Sequence, residues 1–465
     1  MTADGLVVFG PCLFILAVVL GLVTWSRLHE ASFWLWVGYP CKAVSVYLTW
    51  GNVAAGCGLT VKRRRWRWTF DGIPAVGPAL AGGGLVSQRR KVRRVAVDKP
   101  PRLGLVRPLA NGFCVTVRLV DGQTPDDYAA KLPNLAHAWR VHSVRVLDWR
   151  PGRVTLQATR RDPLTRVDIP VLADGLLRVR VGLLETSAPW MIDFRVVPHW
   201  LITGATQSGK STLLNALICG LAPQRVALIG FDLKGGVELT PYAARMTELA
   251  TERAECVQVL GDLVAEIKRR MALCKAHRVR NIWKLPEQVR PVPVVVLIDE
   301  LAELFLMADK SEKDDIAATA VQLIRLAQLG RAFGLYLVVC GQRVGSDLGP
   351  GVTALRAQLS GRICHRVNDP ETANMTLGDM DPAALQAARL IPANQPGVAI
   401  VAADDGRWYR ARSAYVSEEQ AEQVAATHAH VRPTWAEMTT VTVAPVSDEE
   451  FTGYVPDPAP ESDPV

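Results

Sequence analysis

The chain has no C-x-x-C pair, and its cysteines are few and scattered. Nine of them, an odd number, are spread over 465 residues. Closely spaced cysteine pairs are what zinc ribbons and small disulfide frameworks require. The sequence therefore excludes both as the organising element of the fold and predicts a reducing compartment.

Acidic residues are almost missing from residues 62–107, which contain 13 lysines and arginines but only Asp71 and Asp98. The formal net charge of the whole chain is only +8, so the basic character is concentrated in this block. Such a block is typical of segments that meet phosphates of lipids or of nucleic acids. We favour acidic lipid over DNA for the first run, residues 62–67. For the second run, residues 89–94, both partners stay open.

Charged residues are also absent from residues 5–25, and a helix of 21 residues is roughly 31 Å long, about the thickness of a hydrocarbon core. No basic residue precedes this run and no A-x-A site follows it, which favours a spanning helix over a signal peptide. Residues 43–61 are a second uncharged run, for which Asn52 and several glycines leave an interfacial segment as the alternative. We expect an N-terminal transmembrane helical hairpin within residues 1–61. The basic residues after it predict a cell-membrane protein whose remaining chain is cytoplasmic.

The rest of the chain divides where its composition changes. Residues 62–100 are predicted to be a basic linker that contains glycine and proline. Alternating apolar residues around a helix near residues 125–138 predict a small α/β domain over residues 101–185. Strands that alternate with helices over residues 186–412 predict an α/β domain with a parallel sheet. Residues 413–465 are predicted to be one helix, with Ser417 as its cap, and an acidic proline-containing tail.

A phosphate-binding loop is the most specific motif of the sequence. The pattern G-x-x-x-x-G-K-S occupies residues 204–211, between a short apolar strand at residues 199–203 and a helix. In such a loop the backbone N–H groups and the lysine bind phosphates, and the Ser211 hydroxyl ligates Mg²⁺. The motif alone predicts a nucleoside triphosphate with Mg²⁺, and the cofactors expected for the whole chain are ATP and Mg²⁺. The predicted nucleotide-binding residues are Gly204, Ala205, Thr206, Gln207, Ser208, Gly209, Lys210, Ser211 and Thr212.

Polar residues follow three further predicted strands. Asp299 and Glu300 come directly after the apolar run 292–298, where an aspartate can hold the Mg²⁺ shell and a glutamate can deprotonate a water molecule. A helix cap is the alternative role for Asp299. Gln342 follows another strand, where it can sense the γ-phosphate or be a solvated loop residue. A third strand, 226–231, ends at Asp232. Lys210, Asp299, Glu300 and Gln342 are thus the predicted catalytic residues of an ATP hydrolase.

Taken together, these segments resemble the FtsK/SpoIIIE family of hexameric double-stranded DNA translocases over roughly residues 110–405. The matching segments are 198–204 (PHWLITG), 232–239 (DLKGGVEL), 297–304 (LIDELAEL) and 330–343 (GRAFGLYLVVCGQR). The resemblance implies a RecA-like P-loop ATPase domain, a homo-oligomeric ring and double-stranded DNA as the partner. A short chain with an N-terminal membrane segment and this motor is similar to the transfer proteins of actinobacterial conjugative plasmids and integrative elements.

The sequence departs from the family pattern at two positions, with Gln207 where the loop usually has glycine and Val344 where a proline usually follows Gln-Arg. The resemblance also implies an arginine supplied by a neighbouring subunit. The family segment R-I-x-x-x-V matches residues 362–367, which makes Arg362 the first choice and Arg366 the second. The expected function is a membrane-anchored, DNA-dependent ATPase that translocates DNA in conjugation. The alternatives are a chromosome translocase at division, a ring ATPase for protein secretion, and an ATP-binding membrane scaffold.

Overall fold

The computed structural model describes residues 3–70, 90–165, 169–306, 313–345, 348–349, 351–378, 382–402 and 407–439. The chain divides into two compact units, Met1–Pro163 and Leu164–Val465. The sequence analysis put the boundary after residue 185. The structure puts it earlier, because strands Leu172–Ala173 and Arg178–Leu184 hydrogen-bond within the sheet of the second unit.

The first unit contains a four-stranded antiparallel sheet and several helices. The alternating apolar residues Phe113, Val115 and Val117 point into its core, which the helical residues Tyr128 and Leu135 cover. The sheet order is β3-β4-β6-β5, which agrees with the small α/β domain expected there. In chain order the elements are α1 (Ala3–Leu28), α2 (Glu30–Phe33), a π-helical stretch (Trp34–Gly38), α3 (Tyr39–Gly56), β1 (Val61–Phe70), β2 (Arg90–Lys99), β3 (Arg102–Leu109), β4 (Gly112–Arg118), α4 (Pro125–Ala129), α5 (Leu132–Trp139), β5 (Ser143–Arg150) and β6 (Arg153–Thr159).

The basic segment predicted to be a linker contains an antiparallel two-stranded ribbon. Its strands are β1 and β2, in which Val61 pairs with Lys99 and Phe70 with Arg90. The glycine- and proline-rich residues 71–89 lie outside the described residues. The pairing places the two basic runs of the sequence, apart from Arg89, on one structural element.

The second apolar segment has a different environment from the one predicted. Helix α3 buries Val46, Trp50 and Ala54, spaced four residues apart, against the core of the first unit, and Trp50 Nε1 donates a hydrogen bond to the carbonyl of Pro101 at 2.7 Å. One face of this helix is therefore covered by protein, which argues against a span over residues 43–61. Among the described residues, no helix combines the length and the apolar character needed to cross a membrane, so the predicted transmembrane hairpin is not supported.

The second unit is built on one large mixed sheet of order β12-β11-β13-β14-β10-β15-β16-β17-β8-β7, with β9 paired to β8. Strands β12 to β15 in this order are parallel, as predicted, whereas β16, β17, β8 and β7 extend the sheet in antiparallel fashion. The strands are β7 (Leu172–Ala173), β8 (Arg178–Leu184), β9 (Pro189–Asp193), β10 (His199–Thr203), β11 (Ala227–Phe231), β12 (Glu248–Ala250), β13 (Val294–Ile298), β14 (Leu335–Gly341), β15 (Gly361–His365), β16 (Val398–Ala402) and β17 (Trp408–Ser413).

Helices cover both faces of the sheet around its parallel strands. Every residue of β11 and β13 is buried, because alternate side chains enter two different cores. Helices α6 and α13 contribute to one core, and α7 and α9 to the other. The helices are α6 (Lys210–Leu221), α7 (Arg253–Ala276), α8 (Leu301–Phe305), α9 (Lys313–Phe333), α10 (Val352–Gln358), α11 (Pro370–Leu377), α12 (Pro382–Arg389), α13 (Glu418–Thr427) and α14 (Trp435–Thr439), with 3₁₀ turns at Thr240–Arg245, Ile282–Lys284, Glu287–Val289 and Ala429–Val431.

The segment after the predicted motor is partly packed. Ser417 caps α13 as predicted, since its Oγ accepts the backbone N–H of Gln420 at 3.2 Å. Helix α14 then buries Met438 in the same core as α7 and α9, so the predicted solvated tail begins later than expected. Residues 440–465 lie outside the described residues.

A buried ion pair fixes α7 to the sheet. Arg270 and Glu266 are both fully buried, and Arg270 Nε donates to Glu266 Oε1 at 2.7 Å. The same guanidinium donates to the carbonyl of Phe333 before β14 and to that of Val292 before β13, at 2.8 Å each. One side chain therefore ties the helix to the entry points of two neighbouring strands.

Replacing Arg270 with methionine tests this anchor. We expect the free energy of unfolding to fall by about 3–5 kcal/mol, because the buried Glu266 loses its buried partner. Lys268→Met, at an exposed position of the same helix, is the control and should change it by at most about 0.5 kcal/mol. Denaturant unfolding of the full chain measures both, and equal losses for the two variants would contradict the anchor.

Candidate nucleotide-binding site

The phosphate loop joins the buried strand β10 to helix α6, which begins at Lys210. Gly209 has φ of 103°, and a Cβ there would lie 2.2 Å from the backbone nitrogen of Gly397. The Gly397 N–H in turn donates to the carbonyl of Ser208 at 2.9 Å. The loop is therefore held against the segment before β16, and only glycine fits at position 209.

Gln207 stands where the family pattern usually has glycine, and its backbone conformation shows how the loop accommodates it. Its φ is 60°, in the left-handed region where glycine is favoured. A residue with a Cβ costs roughly 1–2 kcal/mol in this conformation. The loop thus keeps the backbone shape that the usual glycine would adopt, at a small cost in stability.

Residues at the end of β15 and directly after it contact the phosphate loop. The N–H of Ala205 donates to the carbonyl of Arg366 at 2.9 Å, and Arg366 Nη2 donates to the carbonyl of Thr206 at 3.1 Å. His365 is fully buried, and a Cβ on Gly204 would approach its Cβ to 2.8 Å. Burial lowers the pKa of His365 to about 4, so the ring is neutral near neutral pH. No role was predicted for His365, since a single histidine at the end of a strand matches no functional motif.

The two predicted acidic residues lie at the end of β13, facing the loop. Asp299 and Glu300 are both buried. Lys210 Nζ lies 3.7 Å from Glu300 Oε2 and donates to the backbone carbonyl of Asp299 at 3.4 Å. Gln342 contributes its backbone N–H, which donates to Glu300 Oε1 at 3.1 Å, while its exposed side chain lines the cavity. The structure therefore brings these four predicted residues together.

Asp232 and Lys234, in the turn after β11, were placed at a strand end by the sequence but were not predicted to be site residues. Asp232 is buried and orders this turn by accepting the N–H groups of Glu238 and Leu239 at 2.8 and 2.7 Å. Lys234 Nζ lies 3.4 Å from Asp299 Oδ2, and Ser211 Oγ donates to Glu238 Oε2 at 3.4 Å. Their position directly after the apolar run 226–231 was the sequence feature that could have indicated a role.

These elements enclose a cavity of about 470 Å³, which falls in the range of about 300–1,000 Å³ found for small-molecule sites. The predicted loop residues other than the buried Ser208 form one wall, and the turn after β11 and the ends of β13 and β14 form others. The lining residues are Gly204, Ala205, Thr206, Gln207, Gly209, Lys210, Ser211, Thr212, Lys234, Glu238, Asp299, Gln342, Ala393 and Pro396.

The predicted Mg²⁺ ligands fit the cation by their chemistry. Ser211 and Asp299 both line the cavity and supply oxygen donors, the class that Mg²⁺ prefers, and Asp299 Oδ2 is buried. Within the described ranges, no group of three or more His, Cys, Asp or Glu side chains can hold a metal ion by itself. The cation would therefore be held jointly by these residues and the phosphates of the nucleotide.

Arg362, the arginine predicted to act on a neighbouring subunit, is largely buried within its own chain. It lies within β15, opposite Leu201 of β10, and only 9% of it is exposed. Its Nη2 donates to the carbonyl of Arg356 at 2.5 Å. The role of Arg362 toward a neighbouring subunit stays a prediction. Arg366, the second choice, contacts the phosphate loop of its own chain.

Two family models match this chain, and one of them covers the phosphate loop and the acidic pair. The family model "Actinomycete conjugal transfer protein N-terminal domain" matches residues 22–160, and "FtsK/SpoIIIE family" matches residues 173–289 and 282–346. The chain is 40% identical over 400 residues to the transfer protein TraSA of Streptomyces ambofaciens, covering 83% of this chain and 92% of the relative. It is 48% identical over 254 residues to a sporulation regulatory protein of Streptomyces azureus, covering 55% and 84%.

Among solved structures, the fold is similar to the monomer form of the pCW3 conjugation coupling protein TcpA with ATPγS. The TM-score is 0.52 at 21% identity, covering 70% of this chain and 93% of that one. At this identity the similarity concerns the fold alone. The fold is thus that of an α/β P-loop ATPase with a mixed sheet.

Removing the Lys210 ammonium tests the site. We expect Lys210→Ala to weaken ATP binding roughly 10- to 100-fold, the loss of a hydrogen bond from a charged group. Lys268→Ala, on the exposed side of α7, serves as the control and should leave the affinity unchanged. A fluorescent ATP analogue measures both dissociation constants, and equal affinity of Lys210→Ala and wild type would reject the cavity as the nucleotide site.

Proposed function

This chain belongs to the FtsK/SpoIIIE family, joined to the amino-terminal domain of actinomycete conjugal transfer proteins, and from this we propose that it is an ATP-driven translocase of double-stranded DNA in conjugative transfer. The proposal rests most on one observation, the buried Asp299–Glu300 pair beside the phosphate-loop cavity, in which Glu300 Oε2 lies 3.7 Å from Lys210 Nζ. A glutamate in this position is what distinguishes hydrolysis from nucleotide binding alone.

The residues of the site divide the chemistry among them. Lys210 and the loop N–H groups bind the phosphates, and Ser211 and Asp299 would hold Mg²⁺, which neutralises charge on the phosphates when it is bound. Glu300 accepts the proton of the attacking water, and the Gln342 N–H orients this carboxylate. Water is then the phosphoryl acceptor, and the reaction is ATP hydrolysis.

Double-stranded DNA is the proposed partner, and a ring of subunits would move it. The family resemblance implies six subunits in this ring. The relative from Streptomyces ambofaciens is named a transfer protein, and one structural neighbour is named for conjugation. The ribbon of β1 and β2 supports a polyanionic partner, because it joins most of the two basic runs in one element. Phosphate contacts of this kind grip DNA without reading its sequence.

We also propose that the protein works at the cell membrane with its ATPase unit in the cytoplasm. The outer face of α3 exposes Val44 and Leu48, and 72% of Trp36 is exposed just before this helix. The basic residues 62–67 follow in the sequence, where they suit acidic headgroups. Exposed apolar and aromatic residues beside a basic run are typical of a surface that binds lipid.

Hydrolysis in the presence of DNA tests the motor. Duplex DNA should stimulate ATP hydrolysis by the wild type whatever its sequence, and the stimulation should fall as salt rises, because phosphate contacts release counterions. Glu300→Gln should bind ATP yet hydrolyse it about 10²- to 10⁴-fold more slowly, because only proton transfer is lost. Glu287→Gln, an exposed glutamate away from the site, is the control. Hydrolysis that is equal with and without duplex DNA would favour a secretion ATPase or a scaffold.

Flotation with lipid vesicles tests the membrane proposal. The full chain should float with vesicles of phosphatidylglycerol and phosphatidylethanolamine, and the double change Val44→Glu and Leu48→Glu should reduce the floating fraction, because charge opposes burial in lipid. Leu390→Glu changes an equally exposed leucine of the second unit and is the control. If the double variant floats like the wild type, α3 is not the lipid-binding surface.

A further inference from the structure

Two lysines, and not one, face the acidic pair at the end of β13. Besides Lys210, Lys234 places its Nζ 3.4 Å from Asp299 Oδ2 and 3.3 Å from Glu300 Oε2. The side chains of Asp299 and Glu300 are only 3% and 5% exposed, whereas that of Lys234 is 32% exposed. A partly exposed ammonium therefore bridges two buried carboxylates.

The turn after β11 aims Lys234 at this position. Asp232 accepts the N–H of Lys234 through Oδ1 at 3.2 Å, and its other oxygen accepts the N–H groups at the far end of the turn. Gly235 and Gly236 have φ of 76° and 74°, so the chain reverses directly after the lysine. Lys234 is thus presented by a different strand and a different loop from Lys210.

The two lysines have different electrostatic tasks. Lys210 forms an ion pair with Glu300 and meets only the backbone carbonyl of Asp299. Lys234 contacts the carboxylates of both residues. As a cation within 3.4 Å of both carboxylates, Lys234 offsets the repulsion between two adjacent buried anions.

We propose that Lys234 is a positioning residue of the nucleotide site, which holds the Glu300 carboxylate and competes with the divalent cation for Asp299. The proposal rests on the nucleotide-binding part of the proposed function and is independent of DNA. Asp299 Oδ2 accepts either the ammonium or the cation. A cation held at Asp299 would displace Lys234 from this carboxylate, whereas the contact of Lys234 with Glu300 Oε2 would remain available.

This arrangement sets how strongly nucleotide binding depends on Mg²⁺. Without the cation, Lys234 adds positive charge to a cavity that must accept a triphosphate. With the cation, Lys234 is its competitor at Asp299. Removal of the lysine charge should therefore weaken nucleotide binding in EDTA. It should also increase the gain in nucleotide affinity that Mg²⁺ provides. Replacing a residue that only holds the turn together would change the dissociation constants in EDTA and in Mg²⁺ by the same factor.

The test compares dissociation constants of a fluorescent, non-hydrolysable ATP analogue in EDTA and in excess Mg²⁺, with the full chain. We expect Lys234→Met to raise the ratio of the EDTA constant to the Mg²⁺ constant about tenfold over the wild type. Lys268→Met, an exposed lysine of α7, should leave the ratio unchanged. Lys234→Arg keeps the charge and should stay within about threefold of the wild-type ratio.

The outcomes separate this proposal from its alternatives. If Lys234→Met changes the dissociation constants in EDTA and in Mg²⁺ by the same factor, Lys234 has a structural role and the proposal is overturned. The proposal is also overturned if Lys234→Arg has the same ratio of constants as Lys234→Met. If Lys234→Met does not fold, Lys234→Gln, which keeps a polar side chain without charge, gives the same comparison. Failure of DNA to stimulate hydrolysis would remove the translocase function and leave this ratio unaffected.

Discussion

Two adjacent carboxylates buried at the end of one strand are the constraint around which the ATPase unit is arranged. Asp299 and Glu300 follow a strand whose five residues are all buried. Buried anions need cationic or hydrogen-bonding partners. These arrive from three neighbouring loops, since Lys210 follows β10, Lys234 follows β11 and the Gln342 N–H follows β14. Only a parallel sheet brings these strand ends to one edge.

The rest of the unit holds this edge in place. Because β11 and β13 are covered on both faces, any shift of a helix would move the strand ends that carry the site. Arg270 resists such a shift at the opposite edge, where it binds the carbonyls that precede β13 and β14. Behind the phosphate loop, the antiparallel extension contributes Gly397, whose N–H binds Ser208. The mixed sheet is therefore part of the site's support.

Local patterns in the sequence were enough to predict what depends on local chemistry. The phosphate loop, the strand before Asp299 and the Ser417 cap are each specified by residues within a few positions of one another, and the structure has all three. Contacts between distant segments were not predictable in this way. Lys234 meets Asp299 across 65 positions, and Gly397 meets Gly209 across 188. Family resemblance aligned residues 232–239 without indicating what Lys234 contacts.

Residues 43–61 and Arg362 illustrate one physical point, which is that composition does not reveal what covers a residue. An uncharged run such as residues 43–61 can bury its apolar face in lipid or in protein, and the core of the first unit is as apolar as a bilayer. Likewise an arginine in a motif can be exposed or buried, and Arg362 lies in a strand between two others. Helix packing against a core decided the environment in the first case, and pairing in the sheet decided it in the second. The burial of a charged or apolar run is thus a property of its neighbours, and functional roles that require exposure must be argued from them.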